Sequence, residues 1–510
     1  MSENIFVNIR ENSDVYIKEF IKKNVGDANF KSKKNGMSLL SLAAMFTGNE
    51  NVVNVLISMG ANVNIKDDDG QSPLHIAASY GSTEIVKILI SNGADVDIKA
   101  NIDGLDNDIT PFLMAAASIN TSGGKNVEIA KILEANGANI KAKTGEKRIT
   151  AMDFAKVNED VAMCEYLSSI AKPHYNLANE YSKKDDFNRA IMEFDQAIQI
   201  DPYFANAYLY RGLTYRRMDN LDNALVDYNK AIQLDNNNLN AYLCRGDLFS
   251  HCGYIHSWNE DSFSRANELL DLAISDYTKA ILISPNNADA YTCRGKVYGY
   301  KKDFDQAIND FNKAIQIDPN YAVAYSERGD LYKGKKDFDK ALADFNKSLQ
   351  LNPNWLLAYG NRALLYLELR EYDRAIDDCS NVLRIQPNNK NKLLMRSKLY
   401  MDKRDYDNAI ADYNHLLRIE PDNYSTYSSR SYAYQGKGDL EHAILDLTKS
   451  IQLNPEPDSL TYENRGSMYM KIKDYDNAIK DFNESIRIDP SENNTARFSL
   501  EEAIKAKKGL

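Results

Sequence analysis

The feature that most constrains this chain is a fixed spacing of about 34 residues in its C-terminal two thirds. An alanine followed by an aliphatic residue recurs nine times between residues 171 and 490, and six of the eight intervals are 34 residues, the others being 49 and 35. A period of this size indicates a solenoid, in which short units pack on their neighbours in sequence order. We therefore expect an array of repeats rather than one compact core. The nine alanines are Ala190, Ala224, Ala273, Ala307, Ala341, Ala375, Ala409, Ala443 and Ala478.

Each copy follows the pattern AYxxRGxxYxxxxDYxxAIxDYxKAIxLxP, which predicts two amphipathic helices. Eight of the twelve prolines of the chain fall in the last column of this pattern. This pattern resembles the tetratricopeptide repeat. The resemblance covers residues 171–490 and implies a right-handed α-solenoid of nine repeats, with an insertion near 251–265 in the third. Its small-residue column should let the two helices of a copy approach closely, and its tyrosine columns should be core rather than a stacking platform for bases. The small residues are Ala178, Gly212, Gly246, Gly295, Gly329, Ala363, Ser397, Ser431 and Gly466.

A different repeat precedes this array, and its clearest copy runs from Asp67 to Lys99. Ser72 and Pro73 suit a helix start, where a proline needs no N–H partner, and Gly93 suits a left-handed helix end. The segment resembles the ankyrin repeat, which implies an ankyrin domain over 1–170 with three full copies between degenerate ends. The resemblance also implies that His75 bonds to the backbone between repeats rather than acting as a ligand or base.

Residues 491–510 follow the last repeat and contain a polar stretch with helical spacing from Thr495 to Lys508. We expect a capping helix that covers the last apolar face. The predicted class is therefore mainly α, with an ankyrin solenoid followed by nine tetratricopeptide repeats and a cap. The last ankyrin helix is expected to end near Leu167, and the short Ser169–Pro173 junction should bring the two arrays together.

One arginine column and one acidic column run through the tetratricopeptide copies. The first copy has the acid Glu193 but has Leu177 in place of the arginine. Pairing each acid with the arginine of the next copy would use all eight arginines and leave Glu193 partnered by Arg211. We therefore expect ion pairs between copies, with a phosphate-binding arginine row as the alternative.

Charge and composition limit the function. The formal net charge is −11, and both arrays are mildly acidic without a basic run, so the electrostatic footprint of a nucleic-acid binder is missing. No apolar stretch approaches 18 residues, so we expect no membrane span. Five cysteines without framework spacing favour a reducing compartment, and the cytoplasm is the expected location.

Catalytic and cofactor motifs are not found. The sequence has no glycine-rich phosphate loop, no nucleophile elbow and no metal-ligand helix motif. His251, Cys252 and His256 lie close together, but their spacing is not that of a zinc motif. We expect no enzyme activity, no cofactor and no metal.

The resemblance to tetratricopeptide proteins implies a concave groove that is lined by first helices and holds a peptide or a partner helix. Neither the family's lysine and asparagine clamp for a terminal carboxylate nor its asparagine ladder is present in full. The leading function is a non-enzymatic scaffold with protein or peptide partners, and the alternative is an exported effector that binds host proteins. Oligomeric state is left open. The expected contact residues are Lys183, Arg216, Arg217, Lys296, Tyr300, Asp330, Lys333, Glu368, Lys398, Asp402 and Tyr432, with Trp258 at the tip of the insertion.

Overall fold

The computed structural model describes seven stretches of the chain, which are mainly α-helical. They form two compact units, Met1–Leu248 and Phe249–Leu510. The division falls inside the third tetratricopeptide copy, which contains the insertion, and not at the change of repeat type near residue 170. The described residues are 18–19, 21–25, 27–102, 106–119, 124–258, 262–491 and 495–509.

The first unit begins with short helix pairs. Ser38, Ser72, Thr110 and Thr150 each precede a first helix, and their side-chain oxygens accept a hydrogen bond from the backbone N–H three residues on. These caps satisfy donors that have no partner inside the helix, so the local sequence sets each helix start. The helices are α1 (Leu39–Ala44), α2 (Glu50–Ser58), α3 (Pro73–Tyr80), α4 (Thr83–Ser91), α5 (Pro111–Ala117), α6 (Lys125–Ala135) and α7 (Ala151–Val157).

Two further elements interrupt this pattern. A short π-helix spans Ile21–Val25, within the degenerate first copy, of which residues 1–17, 20 and 26 lie outside the described residues. An antiparallel pair, β1 (Ala100–Ile102) and β2 (Asp106–Ile109), forms in the lengthened third copy. The hairpin ends at Ile109, which is fully buried, so it leads directly into the cap of α5.

The junction between repeat types differs from the expectation. One helix, α8 (Val161–Lys183), runs from the last ankyrin pair into the first tetratricopeptide copy with Pro173 inside it, so the predicted end near Leu167 is wrong. Proline removes one helical hydrogen bond at this point. The helix continues because its buried residues, including Ala171 and Ala178, follow one face on both sides of the proline.

The rest of the first unit contains α9 (Phe187–Ile200), α10 (Ala205–Arg217) and α11 (Leu221–Leu234), and α12 (Leu239–His256) spans the division. Most first helices have 13 residues and most second helices 14, whereas α12 has 18 and α13 has 21. The insertion thus lengthens both helices of its copy, and residues 259–261 of it lie outside the described residues. The second unit continues with α13 (Phe263–Ile283), α14 (Ala288–Tyr300), α15 (Phe304–Ile317), α16 (Ala322–Gly334), α17 (Phe338–Leu351), α18 (Leu356–Glu368), α19 (Tyr372–Ile385), α20 (Lys390–Asp402), α21 (Tyr406–Ile419), α22 (Tyr424–Lys437), α23 (Leu440–Leu453), α24 (Ser459–Lys471), α25 (Tyr475–Ile488) and α26 (Ala496–Lys507).

Small residues let the two helices of a copy touch, as predicted. A Cβ atom on Gly329 would lie 2.9 Å from the ring of Phe345, and one on Gly466 would lie 2.8 Å from Phe482. Any side chain at these positions would push the aromatic ring out of the core. Ala341, in the alanine column, is fully buried in the same layer.

In the first part of the second unit, neighbouring first helices contact one another. α14 contacts α16 and α16 contacts α18, whereas neighbouring second helices make few contacts or none. The first helices of these copies therefore form one shared face of the stack. At its end α26 covers α25, with Ala496 and Ala503 fully buried beside Phe482, so the expected capping helix is confirmed.

The arginine and acid columns pair within a copy, so the expectation of pairs between copies is wrong. Arg328 illustrates the pattern: its Nε and Nη2 donate to the two carboxylate oxygens of Asp344 at 2.8 and 2.7 Å. The first copy has no arginine in this column, and its acid Glu193 contacts Nδ1 of His174 at 2.6 Å instead. The pairs are Arg211–Asp227, Arg294–Asp310, Arg328–Asp344, Arg362–Asp378, Arg396–Asp412, Arg430–Asp446 and Arg465–Asp481.

Each of these arginines also reaches the preceding copy through its third nitrogen. Arg294 Nη1 donates to Thr278 at 3.0 Å and Arg396 Nη1 to Ser380 at 2.8 Å. Tyrosine rings lie near the guanidinium group, as with Arg328, whose carbon is 5.6 Å from the centroid of Tyr325. The column therefore joins copies by a neutral hydrogen bond, except at Arg211, whose Nη1 forms an ion pair with Asp195 of the first copy.

Candidate functional site

A cavity of about 220 Å³ lies in the second unit between α14, α15 and α16, on the face that these first helices share. We call it the Gly334 pocket. Phe304, Phe311 and Leu331 supply its apolar wall, and polar side chains form the rest. The full lining is Gly295, Lys296, Gly299, Tyr300, Phe304, Phe311, Glu327, Asp330, Leu331 and Gly334.

Glycines create this space. A Cβ atom on Gly295 would lie 2.9 Å from Phe311, so packing requires that glycine, but a Cβ atom on Gly334 would meet nothing within 4 Å. Gly299 is intermediate, with Leu331 at 3.4 Å. Glycine weakens a helix, so its presence at positions that have room for a side chain is not explained by packing. Its effect is to leave the pocket open.

Charged groups line one side of the pocket in pairs. Lys296 lies 3.3 Å from Glu327, whose side chain is only 14% exposed, and Lys333 lies 2.7 Å from Asp330. Burial raises the pKa of the Glu327 carboxyl, against the effect of Lys296. Burial alone would lower the pKa of Lys296, but Glu327 and Tyr300 outweigh it, and that pKa is raised. The pocket thus combines an apolar interior with a buried ion pair on its wall.

An aromatic ridge borders the pocket. Tyr254 lies between two other rings, with centroids 4.8 Å from Tyr300 and 5.6 Å from Trp258. Trp258 is 76% exposed, and Tyr254 and Tyr300 are also exposed. Because Tyr300 lines the pocket as well, the ridge and the pocket form one continuous surface within the second unit.

The structure places the predicted contact residues in three groups. Lys296, Tyr300 and Asp330 line the pocket, Lys333 binds Asp330, and Trp258 lies on the ridge. Further along the second unit, the other residues lie on α18, α20 and α22 and are exposed. They are Glu368, Lys398, Asp402 and Tyr432.

The first unit holds the three remaining residues. Lys183 is exposed at the end of α8. Arg216 lies 3.6 Å from Asp247, and Arg217 binds the Ser182 carbonyl at 2.6 Å. Both arginines are therefore engaged within the unit, and none of the three reaches the Gly334 pocket.

The residues of this surface that sequence reasoning missed include the apolar wall, Phe304, Phe311 and Leu331, and also Tyr254, Gly299, Glu327 and Gly334. The sequence does distinguish the two glycines. The position of Gly299 carries Leu367 and Met401 in later copies, and the position of Gly334 carries Glu368 and Asp402. Gly299 on α14 and Gly334 on α16 each replace a long side chain at one of these two positions, which indicates a cavity between the two helices.

No group of three or more His, Cys, Asp or Glu side chains within the described residues is placed to hold a metal ion. In the same part of the chain, no helix combines the length and apolar character that a membrane crossing requires.

Family models match most of the repeats. A model of ankyrin repeats matches residues 8–100, and two models of the tetratricopeptide repeat match 205–238, 288–321, 322–354, 357–389 and 459–492, and 171–204, 393–423 and 424–457. The chain belongs to the tetratricopeptide-repeat proteins and carries ankyrin repeats before those repeats. The models leave out 239–287, where the insertion interrupts the 34-residue period. Both repeat families are typically non-catalytic modules of protein–protein interaction.

Solved structures include similar chains, but a search of curated proteins finds no match. Two crystal structures of MamA are 27% and 26% identical over 34% and 37% of this chain and 94% and 93% of theirs, each with a TM-score of 0.29. A tetratricopeptide repeat protein from Parabacteroides merdae ATCC 43184 is 21% identical over 49% of this chain and 99% of its own, with a TM-score of 0.30.

Proposed function

We propose that this protein is a non-enzymatic scaffold or adaptor that binds a peptide or helix of a partner protein on the inner face of its tetratricopeptide repeats. The ankyrin repeats supply a second surface for another partner. The observation that carries this proposal is the Gly334 pocket, because a partly apolar cavity with a few convergent polar groups is the usual form of a recognition site. It opens on the face that the first helices line.

The exposed chemistry of that face supports the same proposal. The Trp258 and Tyr300 rings offer large contact areas with little conformational freedom to lose, and such residues are enriched at protein interfaces. Glu368, Lys398 and Asp402 are exposed and have no ion-pair partner among the described residues, so a partner is free to pair with them.

Affinity purification of the full chain with mass spectrometry tests this function. The informative variant is Glu368→Lys with Asp402→Lys, which reverses charge on the inner face, and the matched control is Asp377→Lys on the second helix α19, where Asp377 is exposed. We expect the inner-face variant to lose proteins that the wild type and the control both retain. Retention of every partner by the inner-face variant would contradict the proposal.

The source of the lysate separates the two forms of the proposal. Partners recovered from the protein's own cells support an adaptor. Partners recovered only from the lysate of a foreign host support an exported effector that uses the same face.

A further inference from the structure

We infer that the Gly334 pocket receives one large apolar side chain of a bound peptide, and that this peptide carries basic residues on the side that lies over α18 and α20. The inference rests on the proposed function and specifies the partner's chemistry. Gly299 and Gly334 are then specificity-determining residues, because they make the space that the side chain fills.

The size and the walls of the pocket define the first part of the ligand. A cavity of about 220 Å³ is far larger than the space taken by one water molecule and suits a leucine, methionine or phenylalanine side chain. The rings of Phe304 and Phe311 and the side chain of Leu331 would contact it. The Lys296–Glu327 pair lies on the wall and bonds internally, so an apolar side chain would leave neither group without its partner.

The glycines show that this space is particular to one pair of copies. In the other copies the position of Gly334 carries one further glycine and otherwise larger side chains, namely Lys183, Arg217, His251, Tyr300, Glu368, Asp402, Gly436 and Lys471. Packing explains Gly436, because a Cβ atom there would overlap the Tyr406 ring, but a Cβ atom on Gly334 would meet nothing within 4 Å. Packing thus does not account for the opening at Gly334, and an apolar occupant would fill it.

Charge beside the pocket defines the rest of the ligand. The residues that match Gly334 in the next two copies are Glu368 and Asp402, at the ends of α18 and α20. Both are exposed and without an ion-pair partner among the described residues, and exposed Leu367 lies next to Glu368. Lys398 lies about one helical turn further from this edge. These two positions are therefore acidic, and basic side chains of a peptide would complement them.

Selection from a random dodecapeptide phage library on the full chain tests this inference. Four proteins are used: the wild type, Gly334→Met to fill the pocket, Gly334→Ala as the matched control, and Glu368→Lys with Asp402→Lys. We expect peptides selected on the wild type to share a large apolar residue with lysine or arginine to one side. The charge-reversed variant should select acidic residues instead.

Fluorescence anisotropy with one selected synthetic peptide then measures the pocket directly. Gly334→Met should weaken binding on the order of tenfold to a hundredfold, which is the range for losing one buried large apolar side chain, and Gly334→Ala should not. Replacing the apolar peptide residue by alanine should weaken wild-type binding to the same extent and have little further effect on Gly334→Met. This cycle remains informative even if Gly334→Met lowers the stability of its copy.

The possible outcomes test this inference separately from the proposed scaffold function. Selected peptides that bind Gly334→Met as tightly as the wild type, or that carry acidic flanks, would overturn the inference. If such peptides still lose affinity on charge reversal of Glu368 and Asp402, the proposed function stands. Selection of no peptide by any of the four proteins would count against both.

Discussion

The ankyrin and tetratricopeptide repeats of this protein join their neighbours by different chemistry. In the ankyrin part, side chains bond to the backbone of the next copy. Asn64 Nδ2 donates to the Gly93 carbonyl at 3.1 Å, and its oxygen accepts from the Asp95 N–H at 2.8 Å. The buried His75 reaches the Ile109 carbonyl at 2.9 Å. The partners are backbone groups, so these contacts depend little on which residues occupy the next copy.

In the tetratricopeptide part, a charged side chain makes the connection. Arg328 is held by Asp344 of its own copy and extends one nitrogen to Asn312 of the preceding copy. The ion pair fixes the guanidinium, and the guanidinium then positions the hydrogen bond between copies. Removing the acid should therefore lower the free energy of unfolding more than removing the neutral partner does. Removing one ankyrin contact should have an effect about as small as removing the neutral partner.

The largest effect is expected for Asp344→Ala. It leaves Arg328, whose side chain is 18% exposed, without its carboxylate, and we expect a loss of about 3 kcal/mol in the free energy of unfolding of the surrounding copies. Asn312→Ala is the matched control and should cost about 1 kcal/mol. Urea denaturation followed by circular dichroism measures both. Equal effects of the two substitutions would show that the ion pair does not position the column.

The next prediction concerns how the free energy of unfolding of the ankyrin part depends on pH. Burial lowers the pKa of His75 from 6.5 to about 4, against the effect of its bond to Ile109. The Ser72 N–H donates to Nδ1, so a proton on Nδ1 would break this bond. Between pH 6.5 and about 4 the unfolded chain binds a proton that the folded chain does not, and stability should fall by about 3 kcal/mol as pH falls.

His75→Gln isolates this contribution. The variant lacks the titrating group, so the pH dependence of its unfolding free energy should be shallower than that of the wild type in this window. Parallel curves for the two proteins would contradict the assignment of a buried neutral His75.

A smaller effect is expected for Asn64→Ala. The substitution removes two exposed contacts with the next ankyrin copy, and we expect a loss of about 1 kcal/mol, measured by urea denaturation under the conditions used for Asp344→Ala. A loss larger than that of Asp344→Ala would reverse the comparison between the two kinds of repeat.

The smallest expected effect is an increase in stability. Gly334→Ala should stabilise α16 by about 0.5 kcal/mol, because the added Cβ meets no atom within 4 Å and alanine favours the helix. Hydrogen exchange of the α16 amides measures this change. Destabilisation would mean that the pocket is not open at this position.

Much of the fold follows from the sequence, and the reason is the period itself. Capping residues such as Ser72 and the close contact at Gly329 depend on neighbours within one copy, so local pattern was enough to predict them. The partner of each arginine was not predictable in this way. An acid of the same copy and one of the preceding copy are both compatible with the spacing, and Leu177 suggested the wrong choice because the role of His174 was not foreseen.

The candidate site was predictable only in part. Facing positions of the first helices identified Lys296, Tyr300 and Asp330, which line the pocket. The cavity itself depends on what is missing at Gly334 and on how α14 and α16 approach each other, which no single copy encodes. The continuous helix α8 was missed for a similar reason, since its packing outweighs the local effect of Pro173.

Hydrogen exchange of the full chain, with and without a peptide selected on it, tests the central claim that the inner face of the second unit is the recognition surface. We predict that binding slows exchange in the first helices α14, α16 and α18 and in α15, which contributes to the pocket wall, and leaves the second helices α17 and α19 nearly unchanged. Protection confined to the second helices or to the ankyrin repeats would contradict the account.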